Sequence, residues 1–337
     1  MKADFLPFLK CPKTNEHLKL TVETNKQVEV LIGKVNSSKF EYPIEDGVVN
    51  FIDPDNAYIQ QEMMHNISDM ELLKQKLSKE ELDKYLKDQA LGLDPPNYYD
   101  DYTRSTMDEI MGGLNLHNAF VLEIGGSSGR DLMKYFGKAN NTCVEMDINP
   151  HLGLVSEIIM NHHQVYYERV RADMNQLPFQ DNQFDVVFGS ATFHHIDDPT
   201  NCFKDIYRIL KPGGAFYCLN ERVLSSMAPE QKEVIAQEME FSHEHAFFYS
   251  EWTAFLKNAG FSVQRVRPQY FTYEKLIERV YGNQKPQSML GKLRYNYYKF
   301  MGSSSLNTDN PMLKVIQKLE DAYFANVPFN ALCKKGK

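Results

Sequence analysis

Cysteine is scarce in this chain and poorly arranged for cross-linking. The 337 residues hold five, at Cys11, Cys143, Cys202, Cys218 and Cys333. The number is odd, the spacings are wide and no C-x-x-C pair occurs, so neither a disulfide framework nor structural zinc is expected. A reduced, cytoplasmic protein is the plain reading. Long apolar runs are missing as well. No stretch approaches the ~18–20 residues that span a bilayer. The apolar patch at the N-terminus is interrupted by Pro7 and Lys10 and has no small-residue cleavage site behind it, unlike a secretory signal. Positive charge is in deficit: 45 acidic against 37 basic residues give a net charge of −8. A protein that grips nucleic acid through its phosphates usually shows the opposite balance. What is present, 42% apolar and 24% charged residues, is an ordinary globular composition that excludes a disordered chain. The length favours one large domain with an appendage, or two domains.

Four regions separate along the chain. Residues 1–53 carry short alternating runs at 28–32, 40–44 and 48–52, bounded by Gly, Asn, Ser or Asp, which predicts a small β-rich module with tight turns. Residues 54–100 are polar and rich in Glu, Lys, Met and Leu, as in a helical linker or lid. Ser68 with Glu71 and Ser78 with Glu81 both fit helix N-terminal capping boxes, and Leu93-Asp94-Pro95-Pro96 reads as a stop. Residues 101–270 alternate strand-like segments (119–124, 142–147, 165–171, 184–190, 214–220 and 261–267) with helical ones. Phe203, Ile206, Tyr207 and Leu210 share one helical face, as do Trp252, Phe255, Leu256 and Ala259, with Ser250 as cap and Gly260 as stop. Such alternation predicts an α/β fold: a Rossmann-like, doubly wound, mostly parallel sheet, here of seven strands. Residues 271–337 predict a helical insertion, a helix over 311–325, and a last strand near Phe329–Cys333 that completes the sheet.

The chemistry concentrates in Val121-Leu122-Glu123-Ile124-Gly125-Gly126-Ser127-Ser128-Gly129-Arg130. An apolar strand ends in small residues and a helix follows, so a ligand can approach the backbone and the free N–H groups of the helix start. Asp147 stands at the end of the next strand, where an acid commonly takes both hydroxyls of a ribose. A dinucleotide fold wants G-x-G-x-x-G. Counting from Gly125 puts Ser127 and Arg130 at the later glycine positions, and counting from Gly126 puts Ser128 and Asp131 there; both frames fail, which disfavours NAD.

The same segment resembles the first motif of class I S-adenosylmethionine-dependent methyltransferases. Four further segments match in order: Val144–Asn149, Arg171–Phe179, Phe184–Ser190 with Phe193-His194-His195-Ile196, and Leu210-Lys211-Pro212-Gly213-Gly214. The likeness covers about residues 115–270 and is greatest to the small-molecule branch that includes the quinone-biosynthesis methyltransferases. It implies S-adenosyl-L-methionine as cofactor, with Glu123, Gly125 and Gly126 lining its methionine part and Asp147 holding the ribose hydroxyls. Asp173 would accept from the adenine amino group, Met174 would pack on the ring, and Ser190 would close the pocket. Ser127, Gly129 and Ile148 complete the expected lining. Ser127 departs from the pattern, standing where the motif has its middle glycine. Residues 5–12 and 42–49 resemble the two ends of the small zinc-ribbon-like proteins that activate methyltransferases. Only Cys11 of the metal set is kept, so this module is expected to hold no zinc.

Candidates for catalysis are His194 and His195 after the fourth core strand, Glu221 at the end of the fifth, and His243 and His245 flanking Glu244 before the helix at 252–259. Imidazoles suit a base near neutral pH, while a packing role, a solvated strand end or a surface loop explains each of them as well. His162 and His163 read as solvated. The stretch 279–308 has Arg279, Lys285, Lys292, Arg294 and Lys299 and no acid, interleaved with Tyr295, Tyr297, Tyr298 and Phe300. It would meet an anionic substrate or weakly touch a membrane surface, or it is simply an amphipathic helix with a basic solvent face. The leading expectation is a cytoplasmic methyltransferase acting on a small molecule or a glycan or lipid precursor, with no metal. The alternatives are a non-catalytic methyltransferase-like adaptor and a methyltransferase of tRNA or protein.

Overall fold

A computed structural model describes residues 1–93, 101–196, 198–224, 244–269, 271–282, 285–304, 310–311, 314–315, 317–319 and 327–336. Eleven strands form one sheet: β1 (Lys19–Lys26), β2 (Glu29–Asn36), β3 (Glu41–Glu45), β4 (Val48–Asn50), β5 (Phe120–Ile124), β6 (Thr142–Asp147), β7 (Glu168–Arg171), β8 (Phe184–Ser190), β9 (Leu210–Glu221), β10 (Ser262–Arg265) and β11 (Phe329–Lys334). Their order is β1-β2-β3-β4-β7-β6-β5-β8-β9-β11-β10. The expected seven strands are β5 to β11. Within them β7, β6, β5, β8 and β9 run parallel, and β11 returns antiparallel between β9 and β10. The order reverses beside β5, so the crevice above the C-terminal ends of β5 and β8 is where a doubly wound sheet places its ligand.

The helices are α1 (Ala57–Lys76), α2 (Lys79–Leu91), α3 (Asp101–Thr106), α4 (Arg130–Phe136), α5 (Leu152–His163), α6 (Thr200–Ile209), α7 (Tyr249–Asn258), α8 (Tyr273–Tyr281) and α9 (Met289–Met301). One apolar core, with Leu122, Val144, Val187 and Phe216, lies under α6 and α7. A second, with Val121, Phe188, Leu132 and Phe136, lies under α4 and α5. This two-sided covering explains why β5 and β8 read as nearly continuous apolar runs.

The N-terminal strands are not a detached module. β4 pairs in parallel with β7 through Val49↔Val170 and Asn50↔Arg171. Without them, the charged residues Glu168, Arg169 and Arg171 would lie on an open edge, the device by which exposed strands resist pairing. Here all three are buried. The Lys2 N–H donates to Glu168 at 3.2 Å, Arg169 pairs with Glu29, and Arg171 donates to the carbonyls of Asn149 and Pro150 at 3.1 and 2.9 Å.

Several local expectations fail for physical reasons. The capping box at Ser78 forms. The one at Ser68 does not: α1 starts after Asn56, whose side chain accepts from the Ile59 N–H, and Ser68 lies inside the helix donating to the Met64 carbonyl at 2.8 Å. Ser250 is likewise inside α7, whose first turn is held by Glu251 accepting from the Phe248 N–H at 2.7 Å. β1 went unseen because it is exposed almost throughout and so has no burial alternation to read. Of the helix expected over 311–325, residues 311, 314–315 and 317–319 are helical; the others lie outside the described residues, as does most of the stop at 93–96.

Continuity of the sheet predicts cooperative unfolding. Trp252, the only tryptophan, is buried under the β9–β11 end. Phe51→Ala, at the opposite end beside Tyr42, should cost about 3–5 kcal/mol and shift the urea midpoint of Trp252 fluorescence together with that of far-UV dichroism. An unchanged tryptophan midpoint would show that the N-terminal strands unfold on their own.

Candidate active site

The turn from β5 into α4 has no room for a side chain at its three glycines. A Cβ on Gly125 would meet Thr192 Oγ1 at 1.9 Å, one on Gly126 the Glu123 carboxyl carbon at 2.4 Å, and one on Gly129 the Tyr167 ring at 2.7 Å. Gly125, Ser127 and Gly129 all have positive φ. Ser127 takes the left-handed conformation that a glycine adopts freely, and it is held there. Its N–H donates to Asp147 at 2.8 Å, while Asn149 Nδ2 donates to its hydroxyl and carbonyl oxygens at 3.0 and 3.2 Å.

Asp147 therefore faces the crevice. Its carboxylate also accepts from the Asn149 N–H at 2.8 Å, and burial holds its pKa above the usual carboxylate value against these backbone donors. Asp147 shares a cavity of about 200 Å³ with Ile148, Ala172, Asp173, Met174, Gly125 and His195, roofed by Tyr58, Ile59, Glu62 and Asn66 of α1. Asp173 accepts from the N–H and the side-chain amide of Asn175 at 2.8 and 3.0 Å. A second cavity of about 530 Å³ continues over Gly126, Ser127, Ser190 and Ala191, with Met70, Leu73, Tyr85 and Leu86 of α1 and α2 above it. Ser190 Oγ accepts from Asn220 Nδ2 at 2.9 Å. The ten cofactor-lining residues expected from the sequence thus meet around one turn and its two adjoining cavities.

The candidates for catalysis divide. Glu221 is not a solvated strand end. It is fully buried, and its carboxylate accepts from the backbone N–H groups of Thr192, Phe193 and His194 at 3.1, 3.2 and 3.1 Å. It also lies 2.9 Å from His194 Nδ1. It clamps the β8 loop through these contacts. His195 borders the smaller cavity; burial, then the adjacent His194, lowers its pKa to about 4, so it is neutral at physiological pH. The two imidazole rings lie 4.6 Å apart. His245 donates its backbone N–H to the His194 carbonyl at 2.6 Å and stacks its ring on Phe247, so it braces the loop. His243 lies outside the described residues. Glu244, set between those two histidines in the sequence, instead joins His194 and His195, with ligand-type atoms of all three within 4.8 Å of one another. Glu244 is ion-paired with Arg222. His162 and His163 end α5, away from the crevice.

Sequence reasoning missed Glu145. It pairs in register with Glu123 on the neighbouring strand, both are buried, and neither Glu145 oxygen has an ordinary hydrogen-bond partner. Glu123 accepts from the Leu132 N–H at 3.1 Å. Burial and the Asp131 charge push the Glu123 pKa up to about 8, and burial beside Glu123 raises Glu145 well above the carboxylate range. The available signal was an acid in mid-strand, two positions before Asp147 and therefore on the same face.

Residues 122–218 match the family described as a methyltransferase domain. A malonyl-[acyl-carrier protein] O-methyltransferase of Marinomonas sp. (strain MWYL1) is 32% identical over 119 residues, 34% of this chain and 43% of the relative. A ubiquinone/menaquinone biosynthesis C-methyltransferase of Desulfotalea psychrophila is 42% identical over 48 residues, 14% of this chain and 20% of the relative. The matched segments thus span less than half the length of these relatives. The solved phosphoethanolamine N-methyltransferase 2 of Haemonchus contortus, in complex with phosphomonomethylethanolamine and S-adenosylhomocysteine, superposes with a TM-score of 0.50 at 17% identity. The superposition covers 88% of this chain and 63% of that one, and it shows a shared fold.

The paired carboxyls have a pH signature. Groups whose folded-state pKa lies above the unfolded value favour the folded chain while protonated. That contribution is complete below the ordinary carboxylate range and is lost as pH climbs through about 8. Glu145→Gln, permanently neutral, should therefore raise stability by about 1–3 kcal/mol at alkaline pH and by far less near pH 5. Thermal unfolding at both pH values checks this; an equal shift at the two would refute the raised carboxyl pKa values.

Proposed function

We propose that this chain is an S-adenosylmethionine-dependent methyltransferase acting on a small molecule or a lipid or glycan precursor. The observation that carries the reading is the convergence of a tight glycine-rich turn, Asp147 and Asp173 on a single crevice of a methyltransferase-type sheet. The tightness at Gly125, Gly126 and Gly129 suits a ligand that lies directly on the backbone. Asp147 has lone pairs left for ribose hydroxyls beyond the two N–H groups it accepts. Ile148, Ala172 and Met174 offer an apolar slot for the base, with Asp173 at its rim.

When bound, the cofactor supplies an activated methyl group on a sulfonium. The protein's task is then mainly to align an acceptor for in-line displacement, and positioning of this kind is worth up to ~7–11 kcal/mol of barrier. Glu221 fixes the β8 loop and, in the Nδ1–H tautomer of His194, accepts a hydrogen bond from that N–H, which leaves Nε2 as the acceptor nitrogen of the ring. His194 and His195, with Glu244 near them, are the groups placed to orient an acceptor. The roof of α1 and α2 covers the larger cavity, whose mixed apolar and polar lining fits a modest organic acceptor. Acceptors as unlike as an acyl-carrier-bound malonyl group and a quinone precursor are named for the relatives, in keeping with substrate choice by the roof rather than by the turn. The segment that precedes β1 serves as a scaffold: the Lys10 N–H donates to the Pro178 carbonyl and the Gln180 N–H to that of Phe8, both at 2.9 Å, which steadies the loop carrying Asp173 and Met174.

Calorimetric titration tests the reading. The chain should bind S-adenosylmethionine, and Asp147→Asn should weaken binding by about 1–3 kcal/mol, or roughly 5–150-fold. Absence of binding at millimolar cofactor would end the proposal. Labelled methyl transfer into a small-molecule and envelope extract would then identify the acceptor.

A further inference from the structure

The outward side of α9 is not the basic solvent face of an ordinary amphipathic helix. Tyr298 is buried against Tyr273 and Leu276, while Met289, Leu293 and Phe300 are 78, 61 and 87% exposed. At about 100° per residue, these three side chains fall within an arc of about 40°, so they form one apolar stripe along the outer surface. Lys292 and Lys299 are exposed beside it, roughly 60–80° round the helix on one side. No acid occurs between 279 and 308. The same pairing recurs further along, where Val315 and Leu319 are 58 and 51% exposed and Lys314 and Lys318 adjoin them in sequence.

We propose that α9 docks this protein on an anionic phospholipid surface, lying in the plane of the interface with Met289, Leu293 and Phe300 inserted among the acyl chains and Lys292 and Lys299 at the headgroup phosphates. An apolar stripe edged by flexible cations is what a headgroup layer over hydrocarbon accepts. Charge supports lipid as the occupant. The chain as a whole carries −8 and is repelled by an anionic surface, so the acid-free segment is the side that can approach. No helix among the described residues is long and apolar enough to cross a membrane, which fits a surface contact rather than a span. The inference is independent of the methyltransferase reading, since it uses no residue of the crevice.

Vesicle co-sedimentation tests it with the full chain. Wild-type protein should pellet with vesicles of phosphatidylcholine mixed with phosphatidylglycerol, and weakly with phosphatidylcholine alone. Leu293→Asp combined with Phe300→Asp should reduce binding to the anionic vesicles by roughly tenfold or more. Lys292→Gln combined with Lys299→Gln should remove the salt-sensitive part. All four positions are exposed, so unchanged circular dichroism and unchanged S-adenosylmethionine binding should accompany the loss. No binding to anionic vesicles at low salt would overturn the proposal. So would equal pelleting of wild type and the Asp double variant, or self-association through this face without vesicle binding. Failure of cofactor binding alone would leave it standing and overturn the activity instead.

Discussion

The turn between β5 and α4 is packed so closely that three of its residues cannot carry a Cβ, and each excluded volume is filled by a different part of the fold. Thr192 comes from the loop after β8, Glu123 from β5 itself, and Tyr167 from the segment entering β7. The path of the backbone is thus dictated from three directions. Asp147 adds a fourth restraint by accepting the Ser127 N–H, and it holds a left-handed serine where glycine would need no help. A crevice shaped in this way is pre-organised: its donors and carboxylates are in place before any ligand arrives, which limits the ordering cost of binding.

Carboxylates organise the rest of the crevice, and they do so in different electrostatic states. Glu221 is buried yet receives four donors, so its charge is compensated and it can hold a whole loop in register. Glu123 and Glu145 are buried side by side with far fewer donors, so protonation is their way out of the low-dielectric interior. Asp147 sits between these extremes, half-exposed and met by backbone N–H groups. The contrast separates residues that shape the site from residues left able to meet a ligand.

The appended segments act on the crevice from outside. The N-terminal strands cover what would be a charged edge at β7, and the segment before them braces the loop bearing Asp173. α1 and α2 roof both cavities, and the Tyr58 hydroxyl donates to the His195 carbonyl at 2.9 Å, tying the roof to the β8 loop. α8 and α9 pack aromatic faces together around Tyr273 and Tyr298, and that packing turns the other side of α9 outward.

Amino-acid order alone determined the parallel-sheet architecture and the residues that gather at the crevice. The β5 and β8 runs are largely apolar because both faces are covered, and Asp147 ends β6 and Asp173 follows β7 at short, local spacings that survive without knowledge of distant contacts. Only the tertiary structure decided what depended on remote neighbours. Ser68 has the residues of a cap but lies mid-helix, because Asn56 starts the helix earlier. Glu221 looks like a strand-end acid until the β8 loop folds over it, and Glu244, distant in sequence, lies with His194 and His195. The aromatic and basic stretch at 279–300 is visible in the sequence, but which of its side chains face outward follows from the partners its helix packs against. Period and composition describe a helix; burial is a property of what surrounds it.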